Sequence, residues 1–141
     1  MSALLEPRTA VLVADDNDGV RQTTALILRA AGYDVDEAGD GEEALRKIAA
    51  NAYDVAVLDV RMPKRDGIWV VEHLEARTAP EVIVDSAYDV DASVRARLGS
   101  RVFRYLRKPV PPGSLLDTVG AAVVARRAAA PSAKTLERPA C

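Results

Sequence analysis

The sequence predicts an α/β fold in which helices cover both faces of a parallel β-sheet. Three observations carry that expectation. Short β-branched runs recur along the chain and alternate with segments of helical periodicity. Two of the runs, "TAVLVAD" at 9–15 and "YDVAVLD" at 53–59, are nearly continuous in apolar residues, as central strands buried on both faces are. Right-handed crossovers then lay each intervening helix on the sheet.

The elements follow in order. The strand at 9–15 leads into a helix over Asp18–Ala31, with Val20, Thr24, Ile27 and Leu28 on one stripe, Asp18 as N-cap and Gly32 as the stop. "YDVDEA" at 33–38 is the second strand, and the helix after it spans Asp40–Ala50 with Ala44, Leu45 and Ile48 inward. The strand at 53–59 precedes a helix over Ile68–Arg77 carrying Val70, Val71 and Leu74. "PEVIVDS" at 80–86 is the fourth strand, followed by a short helix around Asp91–Leu98. "RVFRYL" at 101–106 is the fifth, and a helix over Ser114–Arg127 presents Leu115, Leu116, Val119 and Val123. Residues 128–141, with two prolines and no periodicity, read as a flexible tail, and residues 1–8 as an N-terminal extension to a domain at 9–127.

A chain of 141 residues holds one core. Its only cysteine, Cys141, excludes an internal disulfide and offers no structural zinc site. The start "MSALLEPRTA" has neither the basic nor the apolar region of a signal peptide, and no window is long enough to span a bilayer. A soluble, cytoplasmic protein is expected. The net charge of −2 conceals an asymmetry: nine basic against eighteen acidic residues through Asp89, then ten against three from Val90 on. A solvated face and a partner-binding surface are both compatible with that distribution.

In an open parallel α/β sheet, ligands bind beyond the carboxyl ends of the strands. Asp15 and Asp16 end the first strand, Asp59 the third and Ser86 the fourth, while Lys108 follows the fifth. These residues therefore converge on one edge. Clustered carboxylates repel unless a cation neutralises them, and an all-oxygen site without His or Cys suits Mg²⁺. A divalent ion beside a carboxylate, a hydroxyl and a lysine points to phosphate chemistry. Capping alone is the alternative for "DDND" at 15–18, although a helix start needs one acid, not several.

The motifs "VADDN", "LDVRMPKRDG", "DSAY" and "YLRKP" come in an order and spacing that resemble the receiver domain of two-component response regulators, over residues 9–127. The resemblance implies a flavodoxin-like (βα)5 sandwich with strand order 2-1-3-4-5. It also implies a phosphoacceptor, Asp59, charged by a histidine kinase or phosphotransfer protein. Asp16 would ligate Mg²⁺ directly, Asp15 would act mainly through water, and the Arg61 backbone carbonyl would complete the protein ligands, with Asp59 itself. Lys108 and Ser86 would contact the phosphoryl group, the Lys108-Pro109 peptide would be cis, and Ser86 with Tyr105 would form the switch. Arg61 and Tyr88 fall where receiver side chains gate water access. Met62-Pro63 and Asp66-Gly67 are expected to shape the loop, with Gly67 in a conformation strained for other residues.

Two departures stand out. Asp85 occupies a position that is usually apolar in receivers, and strand alternation turns it away from the Ser86 side; burial would demand a partner or a raised pKa. Gly99-Ser100-Arg101-Val102 replaces the usual entry to the fifth strand. Arg95, Arg97, Arg101, Arg104, Arg107, Arg126 and Arg127 fall on the region matching the signalling face of the fourth helix, fifth strand and fifth helix, where a downstream protein partner is expected. The expected protein signals by protein contact or as a relay intermediate, and is not a classical enzyme, although it assists its own phosphorylation and dephosphorylation. A degenerate receiver that binds partners without phosphorylation is the alternative. An aspartyl-phosphate phosphatase resembling the haloacid dehalogenases would need a second Asp where Arg61 stands, and no motif supports direct nucleic-acid binding.

Overall fold

The computed structural model describes the backbone of residues 8–137 and the side chains of residues 8–129. Five strands, β1 (Ala10–Ala14), β2 (Asp34–Ala38), β3 (Val55–Asp59), β4 (Glu81–Ser86) and β5 (Arg104–Arg107), form one parallel sheet in the order β2-β1-β3-β4-β5. The helices are α1 (Asp18–Ala30), α2 (Gly41–Ala50), α3 (Gly67–His73), α4 (Ala92–Leu98) and α5 (Pro112–Glu137), with a 3₁₀ turn at Gly99–Arg101.

Strand alternation divides the core into two layers. Val11, Val13, Val55, Val57 and Ile83 face α1 and α5, meeting Ala25, Leu28, Leu115 and Val119. Leu12, Ala14, Ala56, Leu58, Val82 and Val84 face the other way, against Ala44, Ile48, Val70, Val71 and Leu98. Both faces of β3 are buried along its whole length, so its terminal residue, Asp59, is carried into the centre of one sheet edge. The order reverses between β1 and β3, and the crevice that results lies over that edge.

Several boundaries differ from the sequence expectation. Asn17, not Asp18, caps α1: its side chain accepts from the Val20 amide at 3.0 Å. The buried stripe of α1 centres on Ala25 and Leu28, while Val20 is 39% exposed. Helix α3 stops at His73 rather than Arg77, since Glu75-Ala76-Arg77 supplies no large apolar residue to pack. Gly99 adopts φ 57°, which ends α4 in the 3₁₀ turn and delays β5 from 101 to Arg104. The flexible tail expected from 128 is helical through Glu137, with Ala128-Ala129-Ala130 extending α5 and the helix continuing past Pro131; residues 138–141 and most of the expected N-terminal extension lie outside the described residues.

The β3–α3 loop also differs in its mechanism. The residue with positive φ is Lys64, at 67°. Gly67 is needed for a close approach instead: a Cβ there would stand 2.3 Å from the Asp59 carbonyl oxygen. Its amide donates to the Val60 carbonyl at 2.8 Å, and Asp66 caps α3 through the Trp69 amide at 2.8 Å. The start of α3 is thereby pinned against the backbone of Asp59. Among the described residues, no helix is long and apolar enough to cross a membrane.

Candidate functional site

The carboxyl ends of β1, β3 and β4 deliver three buried carboxylates to one place. Asp15, Asp59 and Asp85 are only 3%, 7% and 7% exposed, and each offers an oxygen within 4.8 Å of the others. Asp15 is oriented by the Asn17 amide, which donates to its Oδ1 at 2.9 Å. Lys108, just past β5, reaches in from the opposite side. Its Nζ donates to Asp15 Oδ2 at 2.7 Å and lies 3.3 Å from Asp59 Oδ2. The Lys108 amide bonds the Ser86 carbonyl at 2.8 Å, and the Lys108-Pro109 peptide is cis.

The electrostatics follow from this crowding. Burial, then the charge of Asp15, raises Asp59 above the ordinary carboxylate range, while the charge and hydrogen bond of Lys108 and the Arg61 amide oppose the rise. Burial alone would lower the Lys108 ammonium; its hydrogen bond to Asp15 and the charges of Asp85, Asp59 and Asp15 outweigh that and hold it above its usual value. Asp85 is pushed to about 7, chiefly by burial; Lys108 works against the shift, and Asp59 and Asp15 add to it. Its Oδ1 is buried with no hydrogen-bond partner.

A cavity of about 310 Å³ opens above Asp59, lined by Asp15, Asp16, Asn17, Arg61, Ser86, Tyr88 and Lys108 among others. Asp16 lines it from the exposed rim and is not part of the tight carboxylate cluster. Ser86 is buried, and its Oγ accepts from the Tyr88 amide at 3.1 Å. The Arg61 guanidinium lies 4.8 Å from the centre of the exposed Tyr88 ring, a cation–π pair at the mouth. Tyr105 lies on β5, outside this cavity; Arg95 stacks 4.2 Å above its ring, and its hydroxyl is buried without a partner. His73 and Trp69 stack on each other on α3, with ring centres 4.2 Å apart.

The donors are hard oxygens with no nitrogen or sulfur ligand among them, and they carry net negative charge beside one lysine. That chemistry fits Mg²⁺, and receiver domains bind Mg²⁺ at an acidic pocket of this kind. Asp85 is the residue whose place the sequence conveyed least. Its alternation was legible, but its membership of the cluster depends on the β3–β4 register, which sets Asp85 directly beside Asp59. Among the described residues no arginine pairs with it; the cation that acts on it is Lys108.

Comparison with known proteins agrees with the geometry. Residues 11–120 match the family model described as response regulator receiver domain. The chain is 36% identical over 115 residues to the transcriptional regulatory protein PdtaR of Mycobacterium tuberculosis, covering 80% of this chain and 56% of PdtaR. It thus spans about half the length of that relative. Chemotaxis response regulator CheY4 of Vibrio cholerae is similar in structure, with TM-score 0.74, 28% identity, and 82% of this chain and 99% of that one covered. So is response regulator protein TrrA of Thermotoga maritima, solved in complex with Mg²⁺-BeF, with TM-score 0.71, 28% identity, and coverage of 81% and 98%. A match over most of the chain, on a sheet of the same order and with the acids and lysine at the strand ends, shows that this chain belongs to the response regulator receiver family.

Proposed function

We propose that the chain accepts a phosphoryl group on Asp59 from a histidine kinase or phosphotransfer protein, and signals by protein contact. The observation that carries the reading is the placement of Asp59: buried at the end of a central strand, within 3.3 Å of the Lys108 ammonium, beneath a cavity open to a donor. Phosphoryl transfer through a loose transition state demands positioning and charge stabilisation more than covalent chemistry. Asp59 Oδ attacks phosphorus as the bond to the donor nitrogen or oxygen breaks, and Lys108 stabilises charge on the phosphoryl oxygens. Mg²⁺, held by Asp15, Asp16, Asp59 and the Arg61 carbonyl, would supply further positive charge when bound.

The product brings about −1.5 to −2 charge and three acceptor oxygens into the pocket. Ser86, buried at the cavity wall, would donate its hydroxyl to one of them, and its oxygen can still accept from the Tyr88 amide. Its movement frees space toward Tyr105, whose rotation would exchange the stack under Arg95 for an inward position and alter the face built from α4, β5 and α5. That face carries Arg95, Arg97, Arg101, Arg104 and Arg107, of which Arg97 and Arg107 already pair with Glu72 and Asp89, and an acidic partner is the complement of the rest; Arg126 and Arg127 instead bond Asp54 and Thr9 near the start of the strands. Binding of kinase or target should therefore weaken as salt is raised; an affinity indifferent to salt contradicts the acidic partner.

The test of the reading is intact mass after incubation with acetyl phosphate. One phosphoryl adduct should form with Mg²⁺, none in its absence, and none on Asp59→Asn under either condition. An adduct that survives Asp59→Asn overturns the assignment. The Arg61–Tyr88 pair shields the pocket, so Arg61→Asn should shorten the adduct's lifetime by roughly two- to fivefold, as ~0.5–1 kcal/mol of exposed cation–π contact implies. Equal decay rates would remove the gating role.

A further inference from the structure

Asp85 is the one buried acid at the site to which the phosphoacceptor reading gives no task. It is the register partner of Asp59, and its carboxylate joins those of Asp15 and Asp59 within 4.8 Å. Three acids therefore share one ammonium. Lys108 makes its close contacts with Asp15 and Asp59, and Asp85, lacking any hydrogen bond to Oδ1, lies close enough to act on Lys108 through its charge. Asp85 and Lys108 also line a second cavity, of about 780 Å³, on the α1–α5 side of the sheet, behind the phosphoacceptor. Lys108 lines both cavities, whereas Asp85 lines only the second and not the one through which a donor enters.

We propose that Asp85 is a positioning residue that holds the Lys108 ammonium back among the carboxylates and so competes with the phosphoryl group for it. This rests on the phosphoacceptor reading and specifies its energetics. An incoming phosphoryl group must draw the ammonium toward its own oxygens, leaving Asp85 buried beside a new anion with its compensating charge displaced. The phosphorylated form is weakened relative to that of a receiver with an apolar residue in this place. A group held this way is passed on readily, which suits a relay intermediate more than a long-lived signal.

The experiment uses fluoroberyllate, at saturating Mg²⁺, as a stand-in for the phosphoryl group, and Mg²⁺ alone as a second probe, both titrated by calorimetry. At pH 8, where Asp85 carries its charge, Asp85→Asn should bind fluoroberyllate about tenfold more tightly than the unaltered chain, and Mg²⁺ alone about threefold more weakly, because one negative charge has left the pocket. The opposed directions separate a lost charge from a loosened site, in which both affinities would fall. Asp85→Val, which also lacks the charge, repeats the comparison should the asparagine variant fold poorly. Fluoroberyllate affinity that is unchanged or lower in both variants overturns the proposal while leaving the phosphoacceptor reading intact. If the unaltered chain binds no fluoroberyllate and takes no phosphoryl group from acetyl phosphate, the reading itself fails, and the proposal with it.

Discussion

Lys108→Ala should slow phosphoryl transfer to Asp59 by roughly 10²–10³-fold, the usual cost of removing one pre-placed charge-stabilising group from a transition state. The reason is geometric. Lys108 is the only cation within 4.0 Å of the Asp15 or Asp59 carboxylate among the described residues, and it is already positioned, 2.7 Å from one and 3.3 Å from the other. The variant should also be less stable in EDTA, because Asp15 and Asp59 are then buried side by side without a counter-charge. Part of that loss should return with millimolar Mg²⁺, which binds the folded state. Stopped-flow rates with a small phosphodonor and thermal melts with and without Mg²⁺ check both halves; a rate close to that of the unaltered chain would remove Lys108 from the chemistry.

Asp85→Leu should stabilise the fold, and by more at pH 8 than at pH 5. In the folded state Asp85 sits at about 7, against an ordinary value of 3.8. Between those values the folded chain holds a proton that the unfolded chain has released, so this group's contribution to stability falls as pH rises through the window. At pH 8, in the absence of Mg²⁺, the charged form is buried at a cost of roughly 2–4 kcal/mol, which leucine removes. At pH 5 the folded carboxyl is already neutral, and the gain shrinks to the replacement of an unpartnered buried Oδ1 by apolar surface. Melting temperatures across that range decide the matter. A melting temperature that falls at pH 8 would mean that the attraction between Asp85 and Lys108 exceeds the cost of burying the charge.

The sheet was legible in the sequence because each strand announces itself locally. β1 and β3 are apolar along their length, the helices between strands repeat apolar residues at three- and four-residue spacing, and the acids stand at the strand ends where the topology gathers them. What was not legible depends on contacts between distant segments. The end of α3 is set by where its apolar stripe runs out, the late start of β5 by the left-handed Gly99, and the need for Gly67 by the backbone of Asp59 lying 2.3 Å from where a Cβ would be. Asp85 shows the same limit within the site. Its oddness is visible in one dimension, yet only the register with Asp59 and the reach of Lys108 across the sheet edge make it a member of the cluster.

The most direct measurement is to locate the phosphoryl group. After acetyl phosphate and Mg²⁺, borohydride reduces an aspartyl phosphate to homoserine, and peptide mass spectrometry reads the position of that change. Homoserine is expected at position 59 alone, with Asp15, Asp16 and Asp85 unmodified. Homoserine at any of those three, or an adduct on another residue type, would contradict the assignment of Asp59 as the acceptor.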